Sequence, residues 1–440
     1  MKKIKFKLPK QLRKEIVKDL ERDHDHAYER VGFILTRLCV TQTQELIIAY
    51  KFCPVADEDY VQDESVGARI NSLAIRKIMQ TALTEKCGVF HVHIHAHSGK
   101  PYESLSDAEG IPPMMESISR INSKEKHGYL ILSKNSAFCN VYSSDYQCFI
   151  EPNIYEEIGY PMNFVLSDKF KSSLELERNK RQMFLGEDSL LLLKEITIGI
   201  VGYGGGGSHI GLQLAHIGFE NIVIFDGDRF EESNINRLVG ANYSDIKNCT
   251  RKVEIAERVI KDVLPTANVE LVQKRWQEEP EKLQKCDIII GCVDSFVERQ
   301  QLEAEARRYL IPLIDIGMDI HKSNDNFSIS GQLILSLPGD FCMSCCGFIT
   351  DKKLEIEAMK YGDVGGNPQV VWSNGVLASS AVGLLMDILF GWSGLEDRQV
   401  YLSYDGTLGI MIKHTRLLAT PKECKHYLLN LTGPPRFIKI

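Results

Sequence analysis

The sequence predicts an α/β chain of two domains, the second built on a parallel sheet. Three observations carry this. Residues 196–228, ITIGIVGYGGGGSHIGLQLAHIGFENIVIFDGD, read as strand, glycine loop, helix and strand. Such a βαβ unit implies parallel strands. The chain has 440 residues, long for a single hydrophobic core. The first 150 residues instead hold short β-like runs (VGFILTRL, ELIIAYKF, GVFHVHIHAH, HGYLILS) mixed with helix-like segments, an α+β pattern.

The elements follow in order. Residues 1–150 form the first domain. Residues 151–175 carry two prolines and no clear periodicity and read as a linker, leaving 176–440 as the second domain. An amphipathic helix pattern runs from Ser173 to Leu193. After the βαβ unit come two buried-strand runs, CDIIIGCVD and IPLIDIG. A long apolar helix pattern, Gly375 to Phe390, lies near the end.

Composition narrows the partners. Hydrophobic residues make up 44% and charged residues 25%, with a formal net charge of -7. Without clustered positive charge, neither nucleic acid nor a membrane surface is expected as partner. The basic N-terminus has no apolar core, so it does not read as a signal peptide. No apolar stretch reads as long enough to span a bilayer. Twelve cysteines without an export signal predict reduced thiols in the cytoplasm, where a CxxC suits metal or redox chemistry.

Gly202, Gly204, Gly205 and Gly207 follow a strand directly and open a helix. Glycines let the backbone approach a phosphate, and the helix start offers aligned N–H donors. The next strand ends at Asp226, where a carboxylate partners a ribose hydroxyl. Up to this point a dinucleotide-dependent dehydrogenase fits equally well. The continuation decides otherwise. Asp226 and Asp228 lead into the run ESNINR, with Asn234 and Arg237. This resembles the DxDxVxxSNLNRQ signature of the ThiF/MoeB and ubiquitin-activating enzyme superfamily. That resemblance implies a Rossmann-like adenylation domain that binds ATP with Mg2+ and adenylates a C-terminal carboxylate.

The resemblance extends along the chain. The segment RNKRQ resembles the family's RYxRQ, which implies that Arg181 reaches the ATP of a partner subunit and that the protein is a homodimer. Lys252 matches the phosphate-binding lysine, and Asp294, in GCVDS, the magnesium-associated aspartate. The chemistry agrees with that set. Charge builds on the phosphates when pyrophosphate leaves, so Arg181, Arg237, Lys252 and a cation near Asp294 are the expected catalytic groups.

Cys342 and Cys345 form a CxxC after a Pro-Gly turn. The resemblance implies a structural Zn2+ held with a second pair near the C-terminus. There the sequence reads PKECKHY, with Tyr427 in place of a fourth cysteine. Cys424 is the third expected ligand, and His426 or Cys346 the fourth. The family's usual acyl-accepting cysteine is missing, since no cysteine lies between Gly347 and Glu423. Either Cys346 or another cysteine takes the acyl group, or the adenylate passes straight to a partner protein.

In the first domain His91, His93, His95 and His97 alternate with other residues, so at strand period all four share a face. Ser104 and Asp107 follow in an SxxD, and Glu29 precedes in an ExxG. Together these resemble the JAB/JAMM metalloprotease pattern. The resemblance implies zinc on two histidines and Asp107, Glu29 as general base and Ser104 at an oxyanion. The spacing to Ser104 leaves His93/His95 and His95/His97 both open as the ligating pair.

The combination resembles prokaryotic JAB–ThiF fusions, associated with ubiquitin-like conjugation and, in several settings, antiviral defence. The function expected is activation of a ubiquitin-like protein ending in glycine, with the JAMM domain trimming precursors or conjugates. A ubiquitin-conjugating-type enzyme is an expected partner. The alternatives are a sulfur-carrier adenylyltransferase of the thiamine or molybdopterin type and a non-catalytic scaffold.

Overall fold

The computed structural model describes residues 2–434 apart from 64, 168–179, 187, 324–325, 360–367 and 422. These divide into two compact units, 1–170 with 428–440, and 171–427.

The first unit is built on a nine-stranded sheet of order β7-β6-β5-β4-β2-β3-β1-β8-β9. Its strands are β1 (Lys3–Pro9), β2 (Val31–Val40), β3 (Gln44–Pro54), β4 (Gly88–Ile94), β5 (His127–Leu132), β6 (Ala137–Ser143), β7 (Cys148–Ile150), β8 (Ile154–Ile158) and β9 (Asn163–Leu166). Helix α1 (Lys10–Leu20) buries Leu12, Ile16 and Leu20, spaced one turn apart, in a core with Phe6, Phe90 and Val92. Helices α2 (Ser72–Glu85) and α3 (Leu105–Ser119) cover the opposite core of Phe33, Val89 and Ile131. The side chain of Asn71 caps α2 by accepting from the N–H groups of Leu73 and Ala74.

Two expectations change here. Residues 154–166 are not a linker. They are β8 and β9, and β8 pairs in parallel with β1. The sequence hides β8 because Glu156 and Glu157 break its apolar pattern. Glu156 is nevertheless fully buried, beside the buried amines of Lys5 and Lys7 on β1 at 3.8 and 3.4 Å. The second change concerns residues 428–434, which belong with this unit. A turn at Leu429–Leu431 packs on β3, and Arg37 donates to the carbonyls of Asn430, at 2.8 Å, and Thr432.

The second unit has an eight-stranded sheet of order β12-β11-β10-β13-β14-β15-β16-β17. Its strands are β10 (Thr197–Val201), β11 (Asn221–Phe225), β12 (Asn268–Val272), β13 (Ile288–Gly291), β14 (Leu313–Ser323), β15 (Asn326–Ser336), β16 (Tyr401–Asp405) and β17 (Ile410–Lys413). Strands β12 through β14 run parallel and β14 through β17 antiparallel. The helices are α4 (Asp188–Glu195), α5 (Gly205–Ile217), α6 (Tyr243–Lys247), α7 (Lys252–Val263), α8 (Phe296–Arg308), α9 (Asp351–Met359) and α10 (Val371–Phe390). The sequence suggested one helix from Ser173 to Leu193. Its described part is a 3-10 turn, Lys180–Leu185, followed by α4. Gly186, at φ +91°, separates the two.

The chain runs outward from β10 to β11 and β12, then returns to lay β13 on the other side of β10. The loops after β10 and β13 therefore part, and a crevice opens at the carboxyl ends of those strands. The interior below it is tightly filled. Ile198, Ile200, Ile288, Ile289 and Ile290 have no exposed surface, and truncating one to alanine would cost about 2–5 kcal/mol. Helix α10 is long and apolar enough to cross a membrane by length and composition, contrary to the sequence reading. It lies 67% buried, against α5 and the strands β14 and β15.

Candidate functional site

The crevice holds a cavity of about 320 Å³. Gly202, Gly204, Gly205 and Gly206 form its floor. Gly202 takes φ +90°, and a Cβ there would sit 2.7 Å from the Cys292 carbonyl oxygen, so only glycine makes this turn. Gly204 precedes α5 with nothing within 4 Å of where a Cβ would stand. The first N–H groups of α5 begin just after it, and a helix start of this kind can receive a phosphate. Gly207 does not line the cavity. A Cβ on it would fall 2.1 Å from the Gly202 carbonyl oxygen, so its role is to let α5 approach the loop.

Asp226 and Asp228, at the end of β11, line the next wall. Asp226 accepts from the N–H of Tyr203 and of Asp228, both at 2.8 Å. Burial pushes the Asp226 carboxyl up, against the pull of Lys252 and of those two N–H groups. Lys252 opens α7 and places Nζ 2.7 Å from Oδ2 of Asp228. The Asp228 side chain is 73% exposed. Asp226 thus anchors the glycine loop, while Asp228 is the carboxylate more open to a ribose.

Arg237 also lines the cavity and donates to the Ser233 carbonyl at 2.6 Å. Asn234 does not line it. Its Oδ1 accepts from the Glu231 N–H and its carbonyl from Arg237 and Leu238. A 3-10 turn leaves such groups without partners, and Asn234 caps them. Its carbonyl holds the main chain of Arg237 in place. Asp294 lines the far wall, exposed, and accepts from Gln369 Nε2 at 3.3 Å. Arg181 lies in the described 3-10 turn, but its side chain is outside the described set, as are residues 361–367.

The sequence reading missed Lys274, Arg275 and Trp276 after β12, and Glu298, Gln369 and Asn374, which all line the cavity. A signal existed for the first three, since they follow a strand of the parallel sheet at its carboxyl end.

A second group of ligating side chains lies in the same unit. The Sγ atoms of Cys342, Cys345 and Cys424 and Nδ1 of His426 all fall within 4.8 Å of one another. Cys342 and Cys345 are 3.5 Å apart, Cys345 and Cys424 3.7 Å, and His426 lies 3.3 Å from both of the first two. A zinc tetrahedron with bonds of about 2.0–2.3 Å has edges of about 3.3–3.8 Å, so the set fits that ion. Cys346 is not part of it. Its thiol is buried, donates to the Met343 carbonyl and is pushed up to about 11 by burial.

In the first unit, Glu29, His93 and His95 converge within 4.8 Å. The Nε2 atoms of His93 and His95 are 3.2 Å apart, and Asp107 Oδ2 lies 3.4 and 3.9 Å from them. Two imidazole nitrogens facing one carboxylate fit a metal of the zinc type. His93 Nδ1 is buried without a hydrogen-bond partner. The four histidines do not share a face. Strand β4 ends at Ile94, and a tight turn from His97 N–H to the His95 carbonyl, 2.8 Å, swings His97 into solvent. His91 is buried beside Phe33, and burial pushes it down to about 3. His93 and His95 are thus the two histidines that converge with Glu29, and His97 is not in that group. Ser104 caps α3. Its hydroxyl donates to Asp107 Oδ2 at 2.7 Å, so it orients Asp107 rather than facing an oxyanion.

A crevice of this build, at the switch point of a parallel sheet with cations opposite a glycine cradle, defines a Rossmann-like nucleotide-binding domain. Residues 176–426 match the model of the ThiF family, and the chain belongs to that family. Three curated relatives illustrate the range. The vegetative HesA protein of Trichormus variabilis is 26% identical over 228 residues, 50% of this chain and 79% of that protein. Molybdopterin-synthase adenylyltransferase of Haemophilus influenzae is 31% identical over 142 residues, 31% of this chain and 58% of that protein. Ubiquitin-like modifier-activating enzyme 5 of Drosophila willistoni is 26% identical over 168 residues, 35% of this chain and 39% of that protein. The chain thus spans less than two thirds of the last two.

Proposed function

We propose that this chain adenylates the C-terminal carboxylate of a small ubiquitin-like protein ending in glycine, and that its first unit is a JAB/JAMM-type metallohydrolase working on the same C-termini. The observation that carries the first reading is the convergence of Gly204, Arg237, Lys252 and Asp294 on one cavity from separate parts of the sheet.

The substrate carboxylate is already ionised at neutral pH, so no general base is needed. It attacks the α-phosphorus of ATP. The bond to the bridging oxygen breaks, and pyrophosphate leaves with the electron pair. The N–H groups at the start of α5 face a phosphate, Asp228 the ribose. Lys252 and Arg237 hold fixed positive charge against the leaving group, joined by Arg181 of a second subunit in a homodimer. Magnesium held at Asp294 would share that charge. With Cys346 buried and no cysteine between Gly347 and Glu423, the acyl adenylate goes directly to an acceptor of the ubiquitin-conjugating type.

The reading of the first unit rests on the donor set of His93, His95 and Asp107 beside Glu29. Zinc held by those three would supply a water of lowered pKa. Glu29 takes that water's proton and returns it to the leaving amine. The set Cys342, Cys345, Cys424 and His426 holds a second, structural zinc.

The test is ATP–pyrophosphate exchange with magnesium and small glycine-ended proteins added singly. Exchange that depends on one of them, and is lost when its terminal glycine is removed, is the expected result. No exchange from folded protein that binds ATP would sink the carboxylate-adenylation reading.

A further inference from the structure

Gln369 joins the two segments that carry charge into the cavity. Its main-chain carbonyl accepts from Asn236 Nδ2 at 3.4 Å, the residue before Arg237. Its side-chain Nε2 donates to Asp294 Oδ1 at 3.3 Å. The residue is fixed from behind as well. Asn374, in the first turn of α10, donates to the carbonyl of Val370 through both its main-chain N–H and its Nδ2. The loop that bears Asp294 is gripped from the other side by Glu357 of α9. The Glu357 carboxylate accepts from the N–H groups of Phe296 and Val297, both at 2.9 Å, and from the Ser295 hydroxyl. A carboxylate at a helix start is favoured by the helix dipole, so α8 begins where Glu357 holds it. Asp294 is thus fixed in its main chain, and among the described residues its Oδ1 accepts from one neutral donor.

On Oδ1 that bond competes with a cation. An amide N–H directed at a carboxylate oxygen stabilises its negative charge, but a divalent ion on that oxygen meets the same N–H as a like partial charge. Gln369 therefore lowers the pull of Oδ1 on a cation unless it lets go or turns its carbonyl oxygen round. We propose that Gln369 is the resident partner of Asp294 Oδ1, that a divalent cation binding there competes with it, and that residue 369 therefore shifts the cation concentration at which the nucleotide site fills. Gln369 is a positioning residue in this scheme, not a catalytic one. The inference rests on the reading of Asp294 as the cation site of the adenylation domain.

The test titrates Mg2+ into the full-length protein with α,β-methylene ATP, an analogue that the proposed reaction cannot cleave, and reads nucleotide binding by calorimetry. Gln369→Ala is expected to fill at an Mg2+ concentration lowered about two- to fivefold, the scale of one exposed hydrogen bond. Gln369→Lys, which places a fixed cation beside Asp294, is expected to bind the analogue with little Mg2+ dependence. An unchanged or raised threshold in Gln369→Ala overturns the proposal. Asp294→Asn separates the two levels. If it abolishes Mg2+ dependence while Gln369→Ala does nothing, only the role of Gln369 falls. If Asp294→Asn leaves the dependence intact, Asp294 is not the cation site and both readings fall.

Discussion

Lys252 Nζ lies 2.7 Å from Oδ2 of Asp228 and 3.8 Å from Oδ1 of Asp226. The Lys252 N–H also donates to the Asp228 carbonyl, so the start of α7 and the end of β11 are locked together twice. The lysine is 9% exposed and those carboxylates hold its amine in place, so its charge is fixed beforehand. Lys252→Ala should therefore lower the rate of ATP–pyrophosphate exchange by about 10²–10³-fold, the usual scale for removing one preorganised charge. Lys252→Arg should recover part of it. Exchange within threefold of the parent protein would remove Lys252 from the reaction.

Asp294→Ala should abolish adenylation with almost no change in stability. The side chain is exposed, and its described hydrogen bond is to Gln369. Such surface changes fall within about 0.5 kcal/mol. Thermal unfolding and exchange, measured on one preparation, check both halves.

The four-ligand cluster predicts bound zinc and a stability that depends on it. Cys424→Ser should cut zinc content, read by elemental analysis, and lower the melting temperature. A loss of about 3 kcal/mol corresponds to about 6–12 °C for a domain of this size. Cys346→Ser, outside the cluster, should leave zinc content unchanged.

In the first unit, His93→Ala and His95→Ala should each lose metal, while His97→Ala keeps it. Glu29→Ala should leave pyrophosphate exchange intact and abolish hydrolysis. Retained cleavage of a glycine-ended precursor by that variant would show that Glu29 is not the base.

Acid sensitivity should trace in part to His127. Burial pushes its pKa down, against the bond to the Asn122 carbonyl. Its Nδ1 accepts from the Val89 N–H at 3.2 Å, a bond that the protonated ring cannot make. The unfolded chain, with histidine near 6.5, binds the proton more readily than the folded one. This contribution is therefore complete above about pH 6.5 and is lost as pH falls through the lower folded value. Denaturant titrations at pH 7.5 and 5.5 should differ less for His127→Gln than for the parent.

What was legible in the sequence was the chemistry written in contiguous residues. The run from Gly202 to Gly207, the Asp226–Arg237 segment, Lys252 and Asp294 announce a nucleotide site because each sits beside a strand end. Lys274 and Trp276 carried only the weak signal of following a strand, and Gln369 and Asn374 none, because only the sheet topology brings them to the same crevice. For Asn234 and Ser104 the resemblances implied ligand contact, and the structure adds that both side chains take part in local caps. Strand β8 was lost because its buried charges are matched by lysines some 150 residues away.

The clasp of Arg37 on residues 430 and 432 bears on how the molecule is made. Arg37 and Thr432 are separated by 395 residues. At about 5–20 residues per second, β2 and β3 leave the ribosome about 20–80 s before the turn that covers them is synthesised. Through that interval Tyr50, against whose ring Arg37 lies at 4.4 Å, and the carbonyl-binding end of Arg37 have no such cover. The first unit is thus completed only by a turn made after the second unit has been translated.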